Sequence, residues 1–205
     1  AVYVPGEGVW KGVAGSSGYS DAPLTTNTYF PIASSSKIYT AAIIMHLTDS
    51  GQLNSDDNIE NWISDVSNAD RISLENLLRH QSGLPTFEAI QEYFETQSVY
   101  HTPDQLIELA NRIEPHFAPG TNFSYSNTGF VLLGKIIEAV SERSYAEAVR
   151  DYITDPLQLT QTVVLTEDNL DIINVRERDN GAFVNTPEHY ANPFSAGAIA
   201  STPSD

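Results

Sequence analysis

The spacing of hydrophobic positions changes character twice along the chain. Up to Ala33, short apolar runs alternate with glycines. Val2, Val4, Val9, Trp10 and Val13 interleave with Gly6, Gly8, Gly12, Gly15 and Gly18, which predicts short strands separated by turns. Gly6-Glu7-Gly8 has the composition of a phosphate-binding loop, but no helical pattern follows it within a βαβ unit, so a hairpin turn is expected there. After Phe30-Pro31-Ile32-Ala33 the period lengthens. Ile38, Ala41, Ala42 and Met45 recur at helical spacing, Ile43, Ile44 and Leu47 widen the apolar face, and Gly51 supplies a stop. A largely buried helix from about Ser35 to Ser50 is predicted.

Further helices follow from their start signals. Ser73-Leu74-Glu75-Asn76-Leu77-Leu78 reads as a short capped helix that runs into a Ser82-Gly83-Leu84-Pro85 turn. In Thr102-Pro103-Asp104-Gln105, Thr102 is a cap, Pro103 takes the first helical position and Asp104 lies in the first turn, ahead of Leu106, Ile107, Leu109 and Ala110. Dense apolar stripes run from Phe130 to Val140 and from Tyr145 to Ile153, and from Val163 onward the composition turns β-like again. Strands, a helical block and strands again predict an α+β chain. Residues 1–33 and 190–205 are expected in a sheet domain, and 34–189 in a mainly helical one. Ser201-Thr202-Pro203-Ser204-Asp205 reads as the start of a helix, from which a continuing chain is expected.

Composition narrows the partners. In 205 residues, 27 Asp and Glu stand against 10 Lys and Arg, a formal net charge of −17 that repels phosphate backbones and anionic lipid alike. No apolar run approaches the ~20 residues needed to span a bilayer, so no membrane insertion is expected. There is no cysteine, which excludes disulfides and thiolate-bound metals. Acidic residues are spread along the chain, as in a secreted or periplasmic protein kept soluble by its charge. His46, His80, His101, His116 and His189 show no metal-binding spacing, and His80, beside Ser82-Gly83, is expected to fix a loop.

The candidate chemistry lies in two places. Ser34-Ser35-Ser36-Lys37 sits where the strand-like segment enters the predicted helix, so Ser34 and Lys37, three residues apart, share a helix face. A serine hydroxyl is a weak nucleophile until a neighbour takes its proton or stabilises its alkoxide. A lysine amine can do either, depending on whether burial or retained charge prevails. The helix start adds partial positive charge and free N–H groups for a tetrahedral intermediate. The same spacing also suits a plain cap at Ser34 with Lys37 solvated. The second place is Ser124-Tyr125-Ser126-Asn127, just before a helix predicted over Thr128 to Val140. Tyr125 is a candidate proton carrier, and the Asn127 amide can hold an ammonium and a substrate carbonyl together. Alternatively Asn127 or Thr128 merely caps the helix and Tyr125 packs.

Together these motifs resemble the penicillin-recognising serine hydrolases, in the branch of class C β-lactamases, D,D-peptidases, D-aminopeptidases and esterases. Phe30-Pro31-Ile32-Ala33-Ser34-Ser35-Ser36-Lys37 is similar to their Ser-x-x-Lys nucleophile motif, and Tyr125-Ser126-Asn127 to their Tyr-x-Asn motif. Leu77-Leu78-Arg79-His80-Gln81-Ser82-Gly83-Leu84-Pro85, Pro156-Leu157-Gln158-Leu159 and Ser195-Ala196-Gly197-Ala198 fit the same pattern in order.

The resemblance implies a β-lactamase/transpeptidase-like fold, an antiparallel sheet domain beside a large helical domain. It implies acylation of Ser34, activation by Lys37, proton movement through Tyr125, and positioning of Lys37 and substrate by Asn127. No metal or organic cofactor is implied. β-Lactams, D-amino-acid peptides or amides, and esters are the substrate classes it suggests. The family's third motif, Lys-x-Gly or His-x-Gly, occurs nowhere in these residues, and neither does a helix ahead of Ala1. The chain therefore reads as truncated at both ends, and a complementary C-terminal segment of the same protein is an expected partner. A non-catalytic penicillin-binding or sensor-like module with the same fold is the alternative. Asn122-Phe123-Ser124 fits a glycosylation acceptor, but the resemblance puts it beside the site and argues against modification.

Overall fold

A hairpin of β1 (Val2–Val4) and β2 (Gly8–Trp10) opens the chain, with Val4 paired to Gly8 across the turn. Gly6 takes a φ of +83°, which a residue without Cβ adopts freely, so Gly6-Glu7-Gly8 makes the hairpin turn expected from its composition. The computed structural model describes residues 1–15, 23–173, 177–179, 182–184 and 190–205; Gly18 and His189 lie outside them.

Strand β3 (Phe30–Pro31) leads through a 3₁₀ turn, Ala33–Ser36, directly into α1 (Lys37–Asp49). The expected helix is there with Ile43, Ile44 and Leu47 buried as expected, but the rest of its inward face is different. Lys37, Thr40, Ile43, Ile44 and Leu47 point inward, whereas Ile38 and Met45 are 71% and 62% exposed. Apolar residues occur on every side of α1, so periodicity alone could not choose the face. Two polar residues choose it: Thr40 Oγ1 donates to the Ser195 carbonyl at 2.7 Å and lies 2.7 Å from the buried Tyr145 hydroxyl. Burial pushes that phenol's pKa well above its ordinary value, with the Thr40 hydrogen bond acting in the opposite direction.

Local caps place the next helices where the sequence predicts. Ser73 and Asn76 close a capping box on α2 (Leu74–Leu78), and Thr102 and Gln105 do the same on α4 (Pro103–Ala110). Between them lie a 3₁₀ turn at Phe87–Ala89 and α3 (Gln91–Thr96), which no start signal announces. Helix α5 (Asn127–Ser141) begins earlier than expected. Its cap is Ser126, whose Oγ accepts the Gly129 N–H, and neither Asn127 nor Thr128 caps it. A run from α6 (Tyr145–Val149) through a π turn to α7 (Asp155–Leu157) accounts for the stripe beginning at Tyr145.

The last elements are strands. β7 (Ile199–Ser201) lies between β3 and β4 (Val163–Val164), antiparallel to both, while β5 (Glu177–Asp179) and β6 (Ala182–Val184) form a separate hairpin. Pro31 pairs from β3, which lies at an edge of this sheet, where its missing N–H is tolerated. The Thr202-Pro203-Ser204-Asp205 sequence forms a turn here, with Thr202 Oγ1 accepting the Ser204 N–H.

Helix α5 is buried along most of its length and receives the 3₁₀ turn Phe194–Ala196 against Gly134. A Cβ on Gly134 would lie 2.5 Å from Ser195 Cβ and 2.7 Å from Phe194 Cε1, whereas one on Gly129 meets Leu77 at ordinary distances, Cδ2 at 3.5 Å and the carbonyl oxygen at 3.9 Å. Two glycines in one helix therefore respond to alanine with opposite sign. Gly134→Ala is expected to lower the urea midpoint by the equivalent of about 1–3 kcal/mol through overpacking. Gly129→Ala is expected to leave the midpoint unchanged or raise it, because alanine favours helix by about 1 kcal/mol. Equal midpoints for the two variants would contradict this packing.

Candidate functional site

The three serines ahead of Lys37 have separate fates. Ser36 is buried, and its Oγ accepts the Ile199 N–H at 3.1 Å, tying the start of α1 to β7. Ser35 lies in an apolar groove with Ile38 and Leu157. Ser34 alone is both exposed and engaged with Lys37. The preceding Ala33 has a φ of +47°, a left-handed conformation unusual for a residue with a Cβ, which presents Ser34 on a sharp strand-to-helix bend.

Ser34 Oγ is held from two sides: Lys37 Nζ donates to it at 3.1 Å, and the Tyr125 hydroxyl lies at 2.8 Å. Lys37 is 7% exposed and forms no ion pair among the described residues. Its ammonium instead donates to the Ala196 carbonyl at 2.6 Å and lies 5.0 Å and 5.4 Å from the centres of the Tyr125 and Phe130 rings. A dipole and two π faces replace a carboxylate here. As a result no anion competes with Ser34 for the amine.

Tyr125 is placed by His80. The two rings stack at 4.5 Å, and His80 also packs on Phe130 and edge-on against Phe123. His80 takes a φ of +55°; its carbonyl accepts the Ser124 N–H and its Nδ1 accepts the Ser126 N–H. The histidine thus clamps the segment carrying Tyr125 at both neighbouring residues, the loop-fixing role its sequence position suggests. Gly83 lets this loop close, because a Cβ there would run into the Phe117 carbonyl.

Asn127 departs from expectation. Its Nδ2 donates to Glu88 Oε1, its Oδ1 is buried without a hydrogen-bond partner, and it makes no hydrogen bond to Lys37. The Thr86–Glu88 segment is tied on by the Asn127 N–H, which donates to Thr86 Oγ1, and by the Phe87 N–H, which donates to Thr128 Oγ1. Of the sequence candidates, then, Ser34, Lys37 and Tyr125 converge, and Asn127 stands beside them with a different partner. Ala196, Phe130 and Glu88 had no functional reading in the sequence. The only trace of Ala196 was its place in the Ser195-Ala196-Gly197-Ala198 segment.

The comparisons with known proteins give the family. The Beta-lactamase family model matches residues 1–205. The chain belongs to this family of penicillin-recognising serine hydrolases. Penicillin-binding protein 4* of Bacillus subtilis (strain 168) is 33% identical over 144 residues, 69% of this chain and 32% of the relative. Among solved structures, D-amino acid amidase from Ochrobactrum anthropi SV3 superposes with a TM-score of 0.79 at 27% identity, covering 92% of this chain and 56% of the amidase. A D-stereospecific amidohydrolase from Streptomyces sp. reaches 0.72 at 27% identity over 86% of this chain and 58% of its own. The Beta-lactamase-family chain described here thus spans about a third of that curated relative and a little over half of these structures.

His80 makes the site sensitive to acid. Burial first, and the Lys37 charge second, hold its pKa below the ordinary histidine value, and the Ser126 N–H bond needs the Nδ1 lone pair. Because the folded pKa is lowered, the unfolded chain binds the proton more readily, so stability falls as pH drops from about 6.5 toward the folded value. His80→Asn keeps an acceptor and tolerates the positive φ but does not titrate. Urea midpoints measured from pH 7.5 to 5 are expected to fall less steeply for this variant than for the parent. Parallel curves would contradict the assignment.

Proposed function

We propose that this protein is an acyl-transfer hydrolase whose nucleophile is Ser34. The observation that carries the reading is the double contact on one hydroxyl: Lys37 Nζ at 3.1 Å and Tyr125 Oη at 2.8 Å, from segments 91 residues apart. Ser34 Oγ attacks a substrate carbonyl, and its proton passes to the Tyr125–Lys37 pair, which in the reacting form carries one proton fewer than a phenol and an ammonium together. The free N–H groups at the start of the helix, that of Ser34 among them, favour the developing oxyanion. Collapse of the tetrahedral intermediate expels an amine or alcohol, which takes the proton back from the same pair, and water then releases the acyl group from Ser34. No step calls on a metal or organic cofactor.

Relatives and neighbours are named as penicillin-binding proteins and D-amino acid amidases, which supports β-lactams and D-amino-acid peptides or amides as substrate classes, with esters added by the family resemblance. The small-molecule or peptide substrate reaches an exposed Ser34, and a net charge of −17 disfavours nucleic acid. Among the described residues no helix is long and apolar enough to cross a membrane. A periplasmic or secreted location and a complementary C-terminal segment that completes the site belong to the same proposal. The second reading, a penicillin-binding or sensor-like module without turnover, draws on the absence of Lys-x-Gly and His-x-Gly from these residues.

A fluorescent penicillin and a fluorophosphonate, each followed by intact mass and peptide mapping, test both readings on the intact protein. The hydrolase reading expects an adduct on Ser34 together with turnover, and a drop in kcat/KM of at least about 10³-fold in Ser34→Ala. A lasting penicillin adduct on Ser34, with no turnover of a β-lactam, a D-amino-acid amide or an ester, supports the sensor reading instead. Absence of any adduct on Ser34 overturns both.

A further inference from the structure

We propose that Phe123 binds an aromatic ring carried by the leaving group of the substrate; the inference rests on Ser34 being the nucleophile. Phe123 is 62% exposed, and an exposed apolar side chain standing alone is ordinary. This one does not stand alone. Its ring meets His80 edge-on with centres 6.0 Å apart, His80 stacks on Tyr125 at 4.5 Å, and the Tyr125 hydroxyl lies 2.8 Å from Ser34 Oγ. A row of three rings therefore runs from the nucleophile to Phe123, exposed at both ends.

The row is fixed in place. Buried Phe130 backs His80 at 5.1 Å, and the His80 carbonyl accepts the N–H of Ser124, next to Phe123. The Phe123 N–H donates to Asn122 Oδ1. The turn before it is closed by the Gly120 N–H on the Gln81 carbonyl and by the Thr121 hydroxyl on the Ala118 carbonyl. A ring held in this way loses little conformational freedom when a second ring packs on it.

The proton path decides which part of the substrate lies along the row. When the tetrahedral intermediate collapses, the bond from the acyl carbon to the leaving oxygen or nitrogen breaks, and that atom takes a proton from the Tyr125–Lys37 pair. Lys37 is buried and donates to the Ala196 carbonyl, so Tyr125, 46% exposed, is the member of the pair open to the departing atom. The leaving group thus departs at Tyr125, where the row begins, while the acyl carbon stays on Ser34. A small alcohol or amine leaves without meeting Phe123. An aryl group on a spacer of a few bonds passes His80 and packs on the exposed ring in the offset or edge-on manner that aromatic pairs prefer. Binding energy gained there assists acylation alone, because the acyl-enzyme is the same whichever leaving group has gone.

Three esters of D-alanine, with propyl, cyclohexylpropyl and phenylpropyl alcohols, assayed on the intact protein, test this with the acyl group held constant. The phenylpropyl ester is expected to exceed the propyl ester in kcat/KM by roughly 10-fold, with the cyclohexylpropyl ester between them. The shared acyl-enzyme should be hydrolysed at one rate. Phe123→Ala should bring the phenylpropyl ester down to the propyl ester, and Phe123→Tyr should keep the preference. A preference that Phe123→Ala leaves intact overturns the proposal, and so does an equal slowing of all three esters, which means that Phe123 only props His80. Fluorophosphonate labelling of Ser34 in the parent separates the two levels. A labelled parent that fails to distinguish the esters, by equal rates or by no turnover, refutes the role of Phe123 alone, and an unlabelled one refutes the nucleophile reading beneath it.

Discussion

A buried ammonium without a carboxylate is the constraint on which the site depends. Lys37 lies on the inward face of α1, where an unsatisfied charge costs several kcal/mol. It is satisfied by the Ala196 carbonyl, the Ser34 hydroxyl and the faces of Tyr125 and Phe130. Those groups come from the 3₁₀ turn beside β7, the start of α1, the segment before α5, and α5 itself. Each must be in place for the lysine to be accommodated, so folding the chain and assembling the site are one event. Had an aspartate met Lys37, the amine would have been tied to it and Ser34 would have lost its neighbour.

The packing around that cation follows from small choices. Gly134 opens the groove in α5 that admits Ser195, whose Oγ donates to the Phe130 carbonyl at 2.7 Å. Thr40 ties the same turn to α1, and Asn192, itself fully buried, donates to the Gln97 and Val99 carbonyls. The carbonyl of Ala196 is thus pinned from both helices. On the opposite side, His80 and the Thr86–Glu88 segment grip the segment of Tyr125 and the first residue of α5, Asn127. Ser34 and Tyr125 are exposed, while Lys37, Phe130 and Ala196 beneath them are buried, an arrangement that preorganises the groups without requiring motion.

Much of this was legible in the sequence, and the exceptions have physical causes. Capping boxes at Ser73 and Thr102 are local, so α2 and α4 stand where the residues placed them. Ser34 and Lys37 share a face because three residues make nearly one helical turn. Their meeting with Tyr125 was legible only through family resemblance, since nothing local links residues so far apart. The buried face of α1 was misread because its apolar residues surround the axis, leaving polar Thr40 and Lys37 to decide. Ala196 acts through a backbone carbonyl, which has no sequence signature, from 159 residues away. Glu88 looks like any other acid in a chain with 27 of them, and its contact with Asn127 exists only because the fold brings together residues 39 positions apart.

The central claim is that Lys37 and Tyr125 act on the Ser34 hydroxyl as one unit, and a double-mutant cycle on the rate of Ser34 phosphonylation tests it most directly. The parent, Lys37→Met, Tyr125→Phe and the double variant would each be reacted with fluorophosphonate, with circular dichroism confirming the fold. The account predicts that each single change slows labelling by about 10²-fold or more and that the double change slows it little further, as for groups that work together. Small, independent effects whose logarithms add would contradict it.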